Sequence, residues 1–189
     1  MKKLFIDKEL TQPILDWVLV RENREKYFPR LPKTEPDYMR SHNFFEEHKP
    51  IIDSMGLNFD DIVKIDKQIL IHYELHPQTP LDDEFGYLLS WQEKGKEVKP
   101  HRDANKKGKI NVRFNMLLKK PKKGGLPIIS DKVLRVKENE VWVCLAGLNK
   151  HGTTLIESKD GRVLLSIGHY VDEAVVKEKG WMHPDCKGV

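Results

Sequence analysis

The stretch Ile110-Asn111-Val112-Arg113-Phe114-Asn115-Met116-Leu117-Leu118 decides how this chain folds. Ile110, Val112, Phe114, Met116 and Leu118 fall on one face of an extended strand, and Asn111, Arg113 and Asn115 on the other. Alternation with a period of two over such a length marks a strand with one apolar face. Similar short stretches recur on both sides of it, separated by turn-like clusters. Upstream lie Ile69-Leu70-Ile71 and Tyr87 to Trp91. Downstream, past the turn at Gly124-Gly125, come Leu126 to Ile129, Lys132 to Val136, Val141 to Leu145, Thr153 to Ile156 and Arg162 to Tyr170. About eight short strands with regularly spaced turns predict a mainly β chain with N-terminal helices. The expected architecture is a double-stranded β-helix, the jelly-roll of cupin-like barrels.

The N-terminal third reads as helical support for that barrel. Thr11 can cap a helix with Pro13 in its first turn and Ile14, Leu15, Val18 and Leu19 on one face. Pro29, Pro32 and Pro36 make Tyr27 to Pro36 a connector. A second helix is expected from near Asp37 to Met55, ending at Gly56, with Pro50 as a kink or break. One domain is expected over 1–189, with a helical support region at 1–63, the jelly-roll core at 64–172 and a C-terminal extension at 173–189.

Composition excludes several classes of protein. Two cysteines, Cys144 and Cys186, do not make a disulfide framework, and a reducing, cytoplasmic compartment is expected. Met1-Lys2-Lys3 is followed by three apolar residues before Asp7, which is no signal peptide. The longest apolar runs, about eight residues, are far short of the roughly 20 that a spanning helix needs. The net charge is +4, but residues 94–123 hold twelve Lys or Arg against Glu97 and Asp103. That basic segment either steers an anionic substrate or, as a plainer reading, solvates loops and protects strand edges. Nucleic-acid binding would place stacking aromatics among the lysines, and the segment has only Phe114, on the apolar face.

The residues that carry chemistry come at a telling spacing. Two residues after His101 comes Asp103; His151 follows forty-eight residues later, and Arg162 eleven beyond that. Two neutral imidazoles and one carboxylate can occupy one face of an octahedral ion, the facial triad of non-haem Fe(II) sites with open positions. The competing view makes them surface or core polar residues of a non-catalytic barrel, and a further rival is a cupin-like binding module that keeps a metal site without turnover. Two lookalikes are set aside: His183-Pro184-Asp185, with no His after it, and His72-Tyr73-Glu74, read as part of an early strand. Arg162 opens the last strand with a guanidinium that can grip a carboxylate by two hydrogen bonds, unless it is an exposed strand-end charge. Trp91 and Trp142 read as core, and His169, on the apolar face of its strand, as structural.

The run Ser90-Trp91-Gln92-Glu93-Lys94-Gly95-Lys96-Glu97-Val98-Lys99-Pro100-His101 resembles the approach to the metal in the aspartyl/asparaginyl β-hydroxylase branch of the Fe(II)/2-oxoglutarate-dependent oxygenases. That branch has a Ser eleven residues before the first His, then Gly, Val and Pro at these steps. Arg113 to Pro121 is similar to its next strand, and Lys137-Glu138-Asn139-Glu140-Val141 to the following turn, with Asn139 where Gly is usual. Asn accepts the left-handed conformation such a turn needs. Lys150-His151-Gly152 and Asp160-Gly161-Arg162 complete the resemblance, which spans residues 86–171.

The resemblance implies a hydroxylase that uses Fe(II), O2 and 2-oxoglutarate as cosubstrate and acts on an amino acid, free or in a peptide. His101, Asp103 and His151 would be the ligands, and Arg162 the anchor of the cosubstrate's far carboxylate. The superfamily often has a Ser two residues after that Arg; here the position is Leu164, and Ser90 is expected to supply the hydroxyl. Many members of the branch carry Gly at the position of Asp103; the carboxylate here argues against a halogenase. Arg113 either shares the cosubstrate or holds the substrate's own carboxylate, with a solvent-facing strand position as the alternative. Asn111 and Asn115, on the same face, either line the substrate pocket or are exposed. A nucleic-acid-directed oxygenase using the basic segment is the remaining rival.

Overall fold

The alternation at 110–118 is realised in the computed structural model, which describes residues 3–27 and 40–182. Strand β4 (Lys109–Lys119) pairs antiparallel with β9 (Arg162–Asp172), with a register shift between Leu117 and Lys119. The flanking strands are β1 (Leu4–Phe5), β2 (Arg40–Phe44), β3 (Tyr87–Gln92) and β7 (Glu140–Cys144). Together they form a six-stranded antiparallel sheet in the order β1-β7-β4-β9-β3-β2. A second, three-stranded sheet is built from β5 (Pro127–Ile129), β6 (Lys132–Val133) and β8 (His151–Thr153), in the order β6-β5-β8. Two strands are shorter or shifted relative to the expected Lys132–Val136 and Thr153–Ile156. The left-handed turn expected at Asn139 is present, at φ 59°.

Helices cover one face of the large sheet. They are α1 (Lys8–Leu19), α2 (Arg21–Tyr27), α3 (Lys49–Ser54), α4 (Phe59–His72) and α5 (Glu173–Glu178). Ile14, Val18, Ile62, Ile65 and Ile69 share one core with Val112, Phe114 and Met116, so the apolar face of β4 is the helix-covered face. A smaller cluster, with Ile129 of β5 against Trp142 and Cys144 of β7, joins the two sheets on the opposite face. His169 is structural as expected: buried, with Nε2 2.8 Å from Asp66 Oδ1 and Nδ1 3.1 Å from the Thr79 carbonyl. The Tyr87 hydroxyl donates to the other oxygen of Asp66 at 2.9 Å.

Several expectations for the first half are corrected. The cap of α1 is Asp7, whose carboxylate accepts from the Glu9 N–H at 3.0 Å; Thr11 and Pro13 lie inside the helix. No single helix runs to Met55. Arg40–Phe44 is a strand because its backbone completes the edge of the sheet along β3, and a 3-10 turn at Glu46–His48 leads into α3. Pro50 sits at the start of α3, where its missing N–H costs nothing, so it does not kink a helix. Ile69-Leu70-Ile71 and His72 are the last turn of α4, not a strand, and Glu74 leaves it at φ 52°. Asn58 caps this helix by accepting from the Asp60 N–H at 3.2 Å, and Asp60 and Asp61 complement the positive end of its dipole. The boundary expected between residues 63 and 64 falls within α4. Residues 28–36 of the connector, the start of the expected second helix at 37–39, and His183, Asp185 and Cys186 lie outside the described residues.

Helical and extended readings of 69–71 give different mutational patterns. Ile69 is fully buried and Ile71 is 72 % exposed. Ile69→Ala is expected to cost about 2–5 kcal/mol in urea unfolding, and Ile71→Ala under about 0.5 kcal/mol. Equal costs would put both side chains on one face, as in a strand, and would contradict the helix.

Candidate functional site

The three expected ligands are brought together by backbone pairing. His101 lies in the loop between β3 and β4, and its N–H donates to the His151 carbonyl at 2.9 Å while the His151 N–H returns the bond at 2.8 Å. The Asp103 N–H donates to the Ala146 carbonyl at 3.0 Å. The ligand atoms of His101, Asp103 and His151 then lie within 4.8 Å of one another, the one such group of three found among the described residues. Asp103 Oδ1 is 3.5 Å from His101 Nε2 and 3.8 Å from His151 Nε2. Each imidazole is fixed from behind: Nδ1 of His101 donates to the Lys99 carbonyl at 2.8 Å and Nδ1 of His151 to the Asn149 carbonyl at 3.1 Å. That leaves both Nε2 lone pairs facing the common point, the tautomer that a metal requires.

The carboxylate is oriented in the same way. Arg113 donates from Nε to Asp103 Oδ2 at 2.8 Å, from Nη2 to Asp82 Oδ2 at 2.6 Å, and from Nη1 to Ser166 Oγ at 3.2 Å. Asp82 is fully buried and also accepts from Asn111 Nδ2 at 3.2 Å and the Glu84 N–H at 2.9 Å. Beneath this pair lies Gly168, where a Cβ would come within 2.9 Å of Asp82 Cβ and 3.2 Å of Arg113 Cζ. Burial works to raise the Asp103 pKa, but the His101 contact and the Arg113 guanidinium outweigh it and hold the carboxyl at about 2. His101 is shifted up, chiefly by its contact with Asp103. His151 is shifted down by burial and by the neighbouring His101. The triad thus offers an ionised carboxylate with one oxygen, Oδ1, not engaged by Arg113.

A cavity of about 140 Å³ holds the triad, Arg113 and Arg162 in one lining, with Leu88, Trp142 and Leu164 among its apolar walls. Arg162 is only 2 % exposed. Its Nη1 donates to Gln92 Oε1 at 2.8 Å, its Nε has no partner, and no carboxylate pairs with it among the described residues. Burial alone pushes its pKa down to about 10. A buried cation without a counter-ion costs several kcal/mol unless an anion enters to pair with it.

The other expected residues divide. Asn115 lines the cavity, and Asn111 does not: it supports Asp82 instead. Arg113 lines the cavity, but its three nitrogens are engaged by Asp103, Asp82 and Ser166. Ser90 is fully buried, yet the partner of Arg162 is Gln92, because the register sets Gln92 opposite Arg162 and Ser90 opposite Leu164. The roles of Gln92 and Asp82 were not read from the sequence. Gln92 had a signal, since it shares the strand face of Ser90; Asp82 lies in the loop before β3 and had none.

No protein-family model and no curated protein matches the chain. Solved structures do match. One is the viral collagen prolyl hydroxylase vCPH from Paramecium bursaria Chlorella virus-1 in its 2-oxoglutarate complex, with TM-score 0.57, 11 % identity, and 91 % of this chain and 96 % of that one covered. Another is HygX from Streptomyces hygroscopicus with nickel and 2-oxoglutarate bound, with TM-score 0.56, 10 % identity, and 88 % and 79 % covered. A third is a Trichoplax adhaerens prolyl hydroxylase in complex with a peptide fragment of the hypoxia-inducible factor oxygen degradation domain, with TM-score 0.55, 14 % identity, and 92 % and 83 % covered. At such identities the likeness is one of fold. No helix among the described residues is long and apolar enough to cross a membrane.

The Arg113 contacts predict a measurable effect on metal binding. Arg113→Gln is expected to lower affinity for Mn(II) or Ni(II) by roughly 10- to 100-fold, the scale for losing a group that orients a ligand. Calorimetric titration of the folded variant would check it, and unchanged affinity would show that Asp103 needs no such support.

Proposed function

We propose that this chain is an Fe(II)- and 2-oxoglutarate-dependent dioxygenase with a double-stranded β-helix fold, hydroxylating an amino acid, free or within a peptide or protein, and releasing succinate and CO2. The observation that carries the reading is one cavity with a His-Asp-His triad and a buried Arg162 that lacks a counter-ion. The cosubstrate has the two features this cavity asks for: a keto acid able to chelate a metal, and a second carboxylate at its other end. Two imidazoles and one carboxylate with open positions suit Fe(II). When bound, the metal with 2-oxoglutarate and O2 supplies the oxidising power to hydroxylate a C–H bond as the cosubstrate is decarboxylated.

The chain's own residues bind, orient and shield. His101 and His151 present Nε2 in a fixed tautomer, and Asp103 presents Oδ1 while Arg113 holds Oδ2. Arg162 grips the distal carboxylate, with Ser90 as a neighbour on β3, and the apolar walls Leu164 and Trp142 help to keep water from the cavity. Asn115 is available to the substrate. Arg113, with every nitrogen engaged, acts through Asp103 rather than on cosubstrate or substrate directly.

The finer placement in the aspartyl/asparaginyl β-hydroxylase branch rests on the motifs from Ser90 to Arg162. A peptide substrate is supported by the peptide-bound neighbour and by the exposure of His101 in the cavity lining. Lysines of the basic segment pair with carboxylates, as in Lys106 with Asp83, Lys109 with Asp172 and Lys123 with Glu157. This favours solvated loops over a nucleic-acid surface.

Purified protein with Fe(II) and ascorbate is expected to form succinate from 2-oxoglutarate, stimulated by the right member of an amino-acid and peptide panel. His101→Ala, Asp103→Ala and His151→Ala should each abolish this while the circular dichroism spectrum stays native. Arg162→Lys should weaken 2-oxoglutarate by about 1–3 kcal/mol and spare metal binding, since Lys keeps the charge without the two-pronged geometry. Metal binding with no succinate across the panel would favour a non-catalytic binding module.

A further inference from the structure

We infer that Gln92 is a cosubstrate-contacting residue, and that an amide rather than a carboxylate at this position keeps Arg162 open to an anion. The inference rests on the functional reading above. Gln92 is fully buried on β3, directly opposite Arg162 on β9. Its orientation follows from chemistry: a guanidinium has donors only, so the amide must turn its oxygen toward Arg162, and Oε1 accepts from Nη1 at 2.8 Å. Flipping the amide would set donor against donor. Nε2 is therefore directed away from the guanidinium, and it has no partner.

Two more buried atoms nearby share that condition. Arg162 Nε and Ser90 Oγ have no partner either, and Ser90 is two residues from Gln92 on the same face of β3. Buried donors are normally satisfied, so three orphans on neighbouring positions of one ladder call for a common acceptor. A carboxylate has two oxygens with about four acceptor sites and no proton to clash with any donor. Leu164, two residues after Arg162, offers no hydroxyl. Gln92, with Ser90, takes that part from the adjacent strand.

A purely structural Gln92, needed only to steady Arg162 through Oε1, makes a different prediction from one that donates through Nε2. Gln92→Glu tests whether the amide leaves Arg162 open, because it keeps the size and the oxygen facing Arg162 while adding a negative charge, and Gln92→Met tests the Nε2 contact, because it removes the donor without adding charge. The proposal expects 2-oxoglutarate affinity of the Mn(II)-loaded protein, measured by calorimetry, to fall by roughly 100-fold. The metal-free variant should melt at a higher temperature than wild type, since the buried cation has gained a partner. Wild-type affinity in Gln92→Glu would overturn the proposal. Whether or not that variant folds, Gln92→Met should weaken 2-oxoglutarate by about 10-fold; unchanged affinity in Gln92→Met overturns the proposal equally. Glutarate, which has no keto group to chelate a metal, gives an independent arm through thermal shifts of the metal-free protein. Stabilisation of wild type but not of Gln92→Glu by glutarate, with no 2-oxoglutarate turnover, would keep the anion seat and sink the functional reading. Turnover by wild type with undiminished 2-oxoglutarate affinity in Gln92→Glu would sink the seat alone.

Discussion

The pairing of β4 with β9 is the constraint on which the rest of the structure depends. Both strands are eleven residues long and lie at the centre of the large sheet. Alternation sends Val112, Phe114 and Met116 toward the helices and Arg113 and Asn115 into the cavity. A slip of one residue would exchange the two sets, burying the arginine among isoleucines, so the register is strongly specified. The same register sets Arg113 opposite Gly168, where the missing side chain leaves room for the Arg113–Asp82 pair. At the other end of β9, pairing with β3 sets Arg162 opposite Gln92.

Two buried arginines in one cavity do opposite things. Arg113 is saturated by Asp82, Asp103 and Ser166, and it holds the Asp103 carboxylate in place. Arg162 meets only an amide oxygen, so the cost of burying its charge is left for a ligand to relieve. The difference lies in the neighbours, the loop carboxylates Asp82 and Asp103 in one case and the neutral Gln92 of the adjacent strand in the other. Sheet strands hold both guanidinium groups more firmly than loops could.

Much of this was legible in the sequence, and the rest was hidden for physical reasons. The alternation of β4 reads directly because one face is apolar and the other is not. The triad reads because its donor types are few and its chemistry demands them together. α4 was missed because Ile69-Leu70-Ile71 taken alone resembles a buried strand; the longer pattern from Asn58 through Ile62, Ile65 and Ile69 carries the helical period. β2 was missed because Arg40–Phe44 has no apolar alternation, and it is extended because β3 offers it a free edge. Asp82 and Gln92 depend on which strand lies beside which, and that is a property of the sheet rather than of any local segment.

The central claim is that the triad and Arg162 together hold a metal-chelating dicarboxylate. Titrating 2-oxoglutarate into the anaerobic Fe(II) protein and following visible absorption tests it most directly. A metal-to-ligand charge-transfer band should grow to saturation with 2-oxoglutarate and need far higher concentrations in Arg162→Ala. Absence of the band in wild-type protein that has bound Fe(II), or an identical titration in Arg162→Ala, would contradict the claim.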